Sequence, residues 1–385
     1  MRLLVLTDGI TPFVTGGMQK HSANLVKYLI LRGHEITLVH CVTGKEKIPT
    51  QDEIRDSLEL SGNELLKTRG YRFPSLGSMP GHYLKESYAY SASIYKDFSS
   101  RLDEFDFIYA KGFCAWSFIE KKKKGQRMPP IGVKFHGYEM FQRLNGFSQK
   151  VQAWLLRGAV KWNNRNADYV FSYGAGITEI IESIGVSRKA IIEIHSGIDN
   201  SWLVNSNTQR EGAFRFLFIG RYEVRKGIED LNKVISSLPI SDSVVFDFIG
   251  EIPLSKRIKR SDVTYHGILK EAHLIKAIMD QSDVLIVPSH SEGMPNVILE
   301  GMSRGLAVIA TNVGAVRALV NSNNGYLIEA LNENQLRSAI EKAVASGRQD
   351  AFEKGSKAIQ MLNDNFKWDK IAEQTEKQLA VRLGL

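Results

Sequence analysis

Residues 283–310 read DVLIVPSHSEGMPNVILEGMSRGLAVIA. Two short strand-like stretches, DVLIV at 283–287, apolar after Asp283, and AVIA at 307–310, flank a segment whose apolar residues follow helical spacing. Short runs that are apolar throughout, rather than alternating, predict strands covered on both faces. Pro295 suits the first position of a helix, where its missing N–H costs nothing, so a helix over 295–304 is predicted. Strand, loop, helix and strand in close succession form the repeating unit of a parallel sheet. The loop is the informative part. Glu292 lies just before the helix, and Glu300 falls inside it among VIL and GM. An acid beside a core is costly unless it has a fixed partner, and two vicinal hydroxyls, such as those of a ribose, would serve. The N–H groups of 294–297 have no acceptor within the helix, and they favour an anion.

The same alternation extends in both directions. Upstream, strands are predicted at 214–219, 244–249 and 263–266, with helices at 227–237 and 270–281. Downstream, helices are predicted at 332–346 and 350–363. Residues 200–213 are polar and turn-rich and read as a linker. Before them, strands are predicted at 2–7, 35–41, 106–110, 131–135, 168–172 and 191–195, with a helix at 18–32. The expectation is an α/β chain of two Rossmann-like, doubly wound parallel-sheet domains, 1–200 and 201–366. Its 385 residues suit two cores better than one. Ligands of such sheets sit outside the carboxyl ends of the strands, and two such domains would share one in a central cleft.

Three further segments stand at predicted strand ends. GRYEVRKG, 220–227, follows the strand at 214–219; Gly220 lets the chain turn, and Arg221 and Lys226 match a diphosphate. TPFVTGGMQKH, 11–21, puts Gly16 and Gly17 before a helix, where backbone can approach a ligand. It has neither the GxGxxG spacing of dinucleotide binders nor the GK[ST] of a P-loop. KFHGYE, 134–139, places His136 just past a strand. Each segment also has a plainer reading: a basic loop, a helix start, a structural histidine.

The net charge of +8 is concentrated in residues 101–165, which hold 13 basic and 5 acidic side chains. EKKKKGQR, 120–127, and RGAVKWNNR, 157–165, read either as solvated faces or as surfaces for anionic lipid. Cys41 and Cys114 are predicted to be free thiols, since two cysteines make no disulfide framework and neither has zinc-ligand spacing. No signal peptide is evident, and no run approaches the roughly 18 apolar residues of a membrane span. A cytoplasmic protein, peripheral on the inner face of the membrane where the basic segments dock, is expected.

Taken in order and spacing, these motifs resemble those of the family 4 glycosyltransferases, retaining nucleotide-sugar enzymes of the GT-B fold. Glu292 and Glu300, separated by seven residues and followed by GMSRGLAVIATNVGA, resemble the family's E-x7-E signature. GRYEVRKG resembles its G-R…K-G loop, TGGMQKH its N-terminal glycine turn, and VTYHGIL, 263–269, the segment that meets the base. The resemblance covers residues 1 to about 370. It implies that Arg221 and Lys226 neutralise the donor diphosphate beside Gly220, and that Glu300 holds the ribose hydroxyls. It further implies that Glu292, Gly293, Met294 and Pro295 contact the transferred sugar, and that Asn296 and Val297 line the phosphate site. Gly17 approaches the diphosphate from the N-terminal domain, His136 sits near the anomeric carbon, and Ile268 and Leu269 flank the base. Helix 367–385 is expected to return to the N-terminal domain. Two departures stand out: IHSGID, 194–199, replaces the family's frequent P-N-G-[VI]-D, and HGYE replaces the common H-D, so that Tyr138 or Glu139 would alter the fit of a sugar.

The implied reaction moves a hexose-type sugar from a UDP- or GDP-sugar to a hydroxyl of a glycan or lipid-linked acceptor, in surface polysaccharide or glycolipid synthesis. Retention is explained in this family by same-face attack, with the leaving phosphate assisting deprotonation. No cofactor or metal is expected, since the two cations take the metal's place; domain closure would exclude water. The alternatives are another GT-B reaction (a nucleotide-sugar epimerase, or a sucrose or trehalose synthase), a nucleic-acid module and a silent scaffold. Residues 120–127 carry no interleaved aromatics of the kind a nucleic-acid surface uses, which argues against such a partner. The intact set of Arg221, Lys226, Glu292 and Glu300 argues against a scaffold.

Overall fold

The computed structural model describes residues 1–77, 81–142 and 147–385, the side chains of 147–150 excepted. The chain divides into two compact units. One comprises Met1–Phe141, Ser148–Ser196 and Trp368–Leu385, the other Gln142–Phe147 and Gly197–Lys367.

The first unit runs β1 (Arg2–Leu6), α1 (Gly17–Leu31), β2 (Glu35–Val42), α2 (Gln51–Ser57), β3 (Leu66–Arg72), α3 (His82–Phe98), β4 (Phe107–Lys111), α4 (Trp116–Lys123), β5 (Ile131–Lys134), α5 (Phe147–Asn166), β6 (Tyr169–Ser172), α6 (Gly176–Ser183) and β7 (Ile191–Glu193). Its sheet is parallel, in the order β3-β2-β1-β4-β5-β6-β7. Leu3 to Leu6 of β1 are buried, as expected for an inner strand covered by helices on both faces. Winding reverses between β1 and β4, which leaves a crevice beyond their carboxyl ends.

The second unit runs β8 (Phe214–Ile219), α7 (Ile228–Ser237), β9 (Val244–Ile249), β10 (Val263–Gly267), α8 (Ala272–Gln281), β11 (Val284–Val287), α9 (Asn296–Ser303), β12 (Ala307–Thr311), β13 (Gly325–Ile328) and α10 (Glu333–Asn365). Its parallel order is β10-β9-β8-β11-β12-β13, with the reversal between β8 and β11. α10 is interrupted at Gly347, so it consists of two helices, where two were predicted.

The last helix, α11 (Trp368–Leu383), belongs to the first unit. Trp368, Ile371, Ala372 and Leu379 join the core beneath α1, and Glu376 pairs with Arg32. β3 and β13 were not anticipated. β3 is an edge strand reading LKTRGYR, polar at most positions, and β13 is only four residues long.

Candidate active site

In the second unit, the loop after β8 and the loop after β11 leave the sheet on either side of the reversal. That topology brings GRYEVRKG against HSEGMPN. Lys226 and Glu292 meet, with Nζ 2.6 Å from Oε1 and side-chain exposures of only 20% and 9%. Ser289 Oγ donates to the same carboxylate oxygen at 2.8 Å. The loop is held by close packing of backbone. Gly227 has φ 66°, and a Cβ there would lie 1.9 Å from the carbonyl oxygen of Pro288. A Cβ on Gly314 would lie 2.1 Å from the carbonyl oxygen of Glu292, and Ala315 N–H donates to Gly293 O at 2.8 Å. His290 is bonded through Nε2 to Asp230 of α7 at 2.6 Å, and its N–H donates to Arg225 O at 2.7 Å. Gln142, which belongs to this unit, brackets the backbone of Glu292: it donates to the carbonyl at 2.8 Å and accepts from the N–H at 3.3 Å.

The remaining predicted residues of this unit are more dispersed. Arg221 is 74% exposed and pairs with Glu223 at 2.8 Å; Glu223 also holds Arg225 at 2.7 Å. Arg221 therefore does not join Lys226 in the Glu292 pair. Gly220 lies at the end of β8, where its N–H donates to Ile249 O at 2.9 Å. Pro295 is the N-cap of α9, with an extended ψ of 116°, and Asn296 is the first helical residue. Pro295 thus stands one position outside the helix it was predicted to start. Gly293 and Met294 are buried, while Asn296, Val297 and Glu300 are half-buried along the first turns of α9. Ile268 is exposed and Leu269 half-buried just past β10.

In the first unit, a cavity of about 270 Å³ opens at the reversal point, lined by Asp8, Lys111, Phe113, Phe135, His136 and Glu139 among others. Lys111 ends β4 and is buried; its Nζ lies 2.8 Å from His21 Nδ1. Burial pushes the Lys111 amine down to about 7, against the pull of Asp8. Lys134 ends β5, donates to Ile194 O at 2.9 Å and lies 3.9 Å from the centre of the Tyr173 ring. Burial, with Lys111 nearby, carries Lys134 well below the ordinary lysine value. His136 Nδ1 lies 2.8 Å from Tyr173 Oη. Burial first, then Lys111 and Lys134, drive His136 down to about 3. His21 falls well below its usual value, by burial and then by Lys111 and Lys134. Burial raises Asp8. The imidazoles here are therefore neutral near pH 7 and can exchange hydrogen bonds without carrying charge.

Gly17 begins α1, whose buried face includes His21. Tyr138, considered above as a sugar contact, is a core residue instead: it is fully buried and its hydroxyl donates to Asn164 Oδ1 at 2.8 Å. Glu139 does line the cavity. Lys111, Lys134 and Tyr173 were not singled out in the sequence. The available signal was a lysine closing each of two apolar strands, FIYAK and IGVK.

Several charges of the basic segments have partners. Lys122 pairs with Asp168 at 2.6 Å, Lys124 with Glu120 at 2.5 Å, and Arg157 donates to Met140 O at 2.6 Å. Cys41 and Cys114 are free and buried. Among the described residues, no three His, Cys, Asp or Glu side chains gather as a metal site, and no helix is long and apolar enough to cross a membrane.

Residues 15–202 match the family described as Glycosyltransferase Family 4, and residues 213–346 the family described as Glycosyl transferases group 1. The glycogen synthase of Mycobacterium tuberculosis is 23% identical over 407 aligned residues, covering 100% of this chain and 96% of the relative. Sucrose-phosphate synthase from Thermosynechococcus elongatus superposes with a TM-score of 0.75 at 17% identity, covering 100% of this chain and 99% of that one. HepE of Anabaena, solved in complex with UDP-glucose, superposes with a TM-score of 0.67 at 18% identity, over 99% of this chain and 100% of that one.

Proposed function

The chain belongs to the glycosyltransferases of family 4 and group 1, with the GT-B fold, and on that premise we propose that it transfers a hexose-type sugar, with retention, from a nucleoside-diphosphate sugar to a hydroxyl acceptor. The observation that carries this reading is the meeting of Lys226 and Glu292 at the β8/β11 reversal, ahead of the N-terminus of α9. Breaking a sugar–diphosphate bond leaves negative charge on the departing phosphate and positive charge on the ring. A lysine amine, Arg221 on the same loop and the N–H groups of a helix start suit the first. Groups fixed in place before reaction typically lower such a barrier by several kcal/mol. Glu292, held by Lys226 and Ser289, suits the hydroxyls of the transferred sugar. Glu300, one turn into α9, suits the ribose. Ile268 and Leu269 offer apolar surface to the base.

The acceptor belongs to the first unit. Its cavity combines aromatic walls (Phe113 and Phe135) with Asp8, Lys111 and His136, a mixture suited to a sugar ring with apolar faces and polar edges. A glycan or a lipid-linked saccharide has that chemistry. The exposed Trp154 near Arg157 and Lys161 supports a lipid-bound form of the acceptor at an anionic surface. In the proposed reaction the acceptor hydroxyl attacks on the face the phosphate leaves, and its proton passes to that phosphate. The relatives at hand include a protein solved with UDP-glucose and a polysaccharide synthase, which favours a UDP-sugar and a role in polysaccharide synthesis.

A thermal-shift panel of UDP-, GDP- and ADP-sugars tests the donor reading. One class is expected to raise the melting temperature, and Lys226→Met is expected to abolish that rise. No shift with any nucleotide sugar would overturn the proposal. With the donor known, proton NMR of the product's anomeric signal decides retention against inversion. Flotation with anionic and neutral vesicles decides the membrane association.

A further inference from the structure

Tyr173 follows β6, and its ring is fully buried. Its hydroxyl lies 2.8 Å from His136 Nδ1, the one partner it has among the described residues. A buried hydroxyl with a single acceptor in reach donates to it, because the opposite arrangement leaves its own hydrogen unpaired away from water. The bond therefore places the imidazole proton on Nε2. Among the described residues that nitrogen has no partner, yet it is not among the enclosed polar atoms lacking one, unlike Nε2 of His21 and both ring nitrogens of His40. His136 lines the cavity, so Nε2–H is available to a bound molecule.

The tyrosine is itself fixed. Lys134 sits 3.9 Å from its ring centre while bound to Ile194 O, and His195 Nδ1 is hydrogen-bonded to the Tyr173 carbonyl at 2.7 Å. The titratable groups around His136 come from several elements. His21 on α1 stands edge-on at 6.2 Å, Lys111 ends β4, Lys134 ends β5, Tyr173 follows β6, and Glu139 lies in the loop beyond His136.

We propose that Tyr173 is a positioning residue that holds His136 as the neutral Nε2–H tautomer, so that His136 donates a hydrogen bond to an oxygen of the bound sugar substrate and takes no proton from it. The low value of about 3 for the imidazole, caused by burial and by the two neighbouring amines, is in keeping with a ring that stays uncharged. A neutral imidazole of this kind polarises an oxygen without acting as a base. The identity of the substrate rests on the glycosyltransferase reading; the tautomer does not.

The test reads the tautomer directly. Protein labelled with ¹⁵N-histidine is recorded by two-bond ¹H–¹⁵N correlation at about pH 6 and about pH 9. The His136 signals are assigned with His136→Asn. The expected result is a protonated Nε2 and an unprotonated Nδ1 at both pH values. Tyr173→Phe, which keeps the ring beneath Lys134, is expected to give a mixture of tautomers. Turnover is measured as hydrolysis, with water taking the sugar and nucleoside diphosphate released, from whichever nucleotide sugar gives the largest thermal shift. Tyr173→Phe is expected to lower kcat about tenfold with KM changed less than about twofold. A protonated Nδ1 or an imidazolium in the wild-type protein overturns the proposal without any variant. An unchanged tautomer in Tyr173→Phe overturns the positioning role. A lost tautomer with unchanged kcat overturns the donor role of His136. Failure of every nucleotide sugar to bind overturns the functional reading and leaves the tautomer measurement standing as a separate result.

Discussion

Lys226→Met separates what Lys226 does for the fold from what it does for a ligand. Met keeps most of the apolar stem and removes the charge. The pair it breaks is short, 2.6 Å, and both side chains are largely buried, at 20% and 9% exposure. Removing one member of a fully buried pair costs about 3–5 kcal/mol, because the other charge stays buried without its partner. Here the amine is partly in water, and Ser289 still donates to the carboxylate. The expected loss is therefore smaller, about 1–3 kcal/mol. Glu292→Gln in the same background should recover part of it, with a coupling energy of about 1–2 kcal/mol in a double-mutant cycle. Urea denaturation of the four proteins gives those values. The ligand effect is independent of them. A charge-assisted hydrogen bond to phosphate contributes about 1.5–3 kcal/mol, so the Kd for a free nucleoside diphosphate should rise about 10- to 100-fold. Calorimetry at a temperature where all four proteins are folded measures it. Equal affinity in wild type and Lys226→Met would refute the assignment of Lys226 to the diphosphate. Equal stability would refute the energetic argument for the pair.

Other substitutions probe separate parts of the argument. Glu300→Ala should weaken the same nucleoside diphosphate about tenfold in calorimetry with little change in melting temperature, if the residue holds the ribose; unchanged affinity would remove it from the site. Gly227→Ala should destabilise the protein by about 2–4 kcal/mol, since its left-handed backbone and the Pro288 carbonyl both exclude a Cβ, and an unshifted denaturation midpoint would contradict this. Lys111→Met tests the buried amine through pH. The folded value of about 7 lies below the unfolded value, so between about pH 7 and 10.5 the unfolded chain holds a proton that the folded chain lacks. Stability rises with pH across that window by up to about 1.4 kcal/mol per unit from this group. The stability of Lys111→Met relative to wild type should therefore be greatest at about pH 7 and below and decline toward pH 10 in urea titrations, and a difference that does not vary with pH would refute it.

The inner strands were legible because each is apolar on both faces, a pattern that loops and surface helices rarely produce. β3 was not, because an edge strand has half its surface in water and LKTRGYR shows it. The loops of the candidate site stood out in the sequence for a different reason. Gly220 marks a turn at a strand end and Pro295 a helix start just past another, and charged residues beside such places have few roles in the core. What those charges pair with was not legible. Lys226 and Glu292 are 66 residues apart, and only the β8-next-to-β11 order brings them together. Arg221 precedes Lys226 by five residues, yet Glu223 draws it outward.

The lysines of the first unit extend the same reasoning. A lysine that closes an apolar strand usually marks where the strand reaches water, and FIYAK and IGVK read that way by themselves. Whether such an end is wet depends on what stands beyond it, and that is decided by strand order. Because β4 lies beside β1 and β5 lies beside β4, the ends of all three converge, and α1 lays His21 over Lys111. β6 and β7 then supply Tyr173 and the Ile194 carbonyl to Lys134. Six elements take part, and Lys111 and Tyr173 lie in none of the segments that the sequence singles out. The cost of burying two amines that have no ion pair among the described residues falls on protonation, which their lowered values reflect, and not on the sheet. A cluster that a fold keeps at that cost is where functional chemistry is expected, which is why the tautomer of His136 is the sharper test of the first unit.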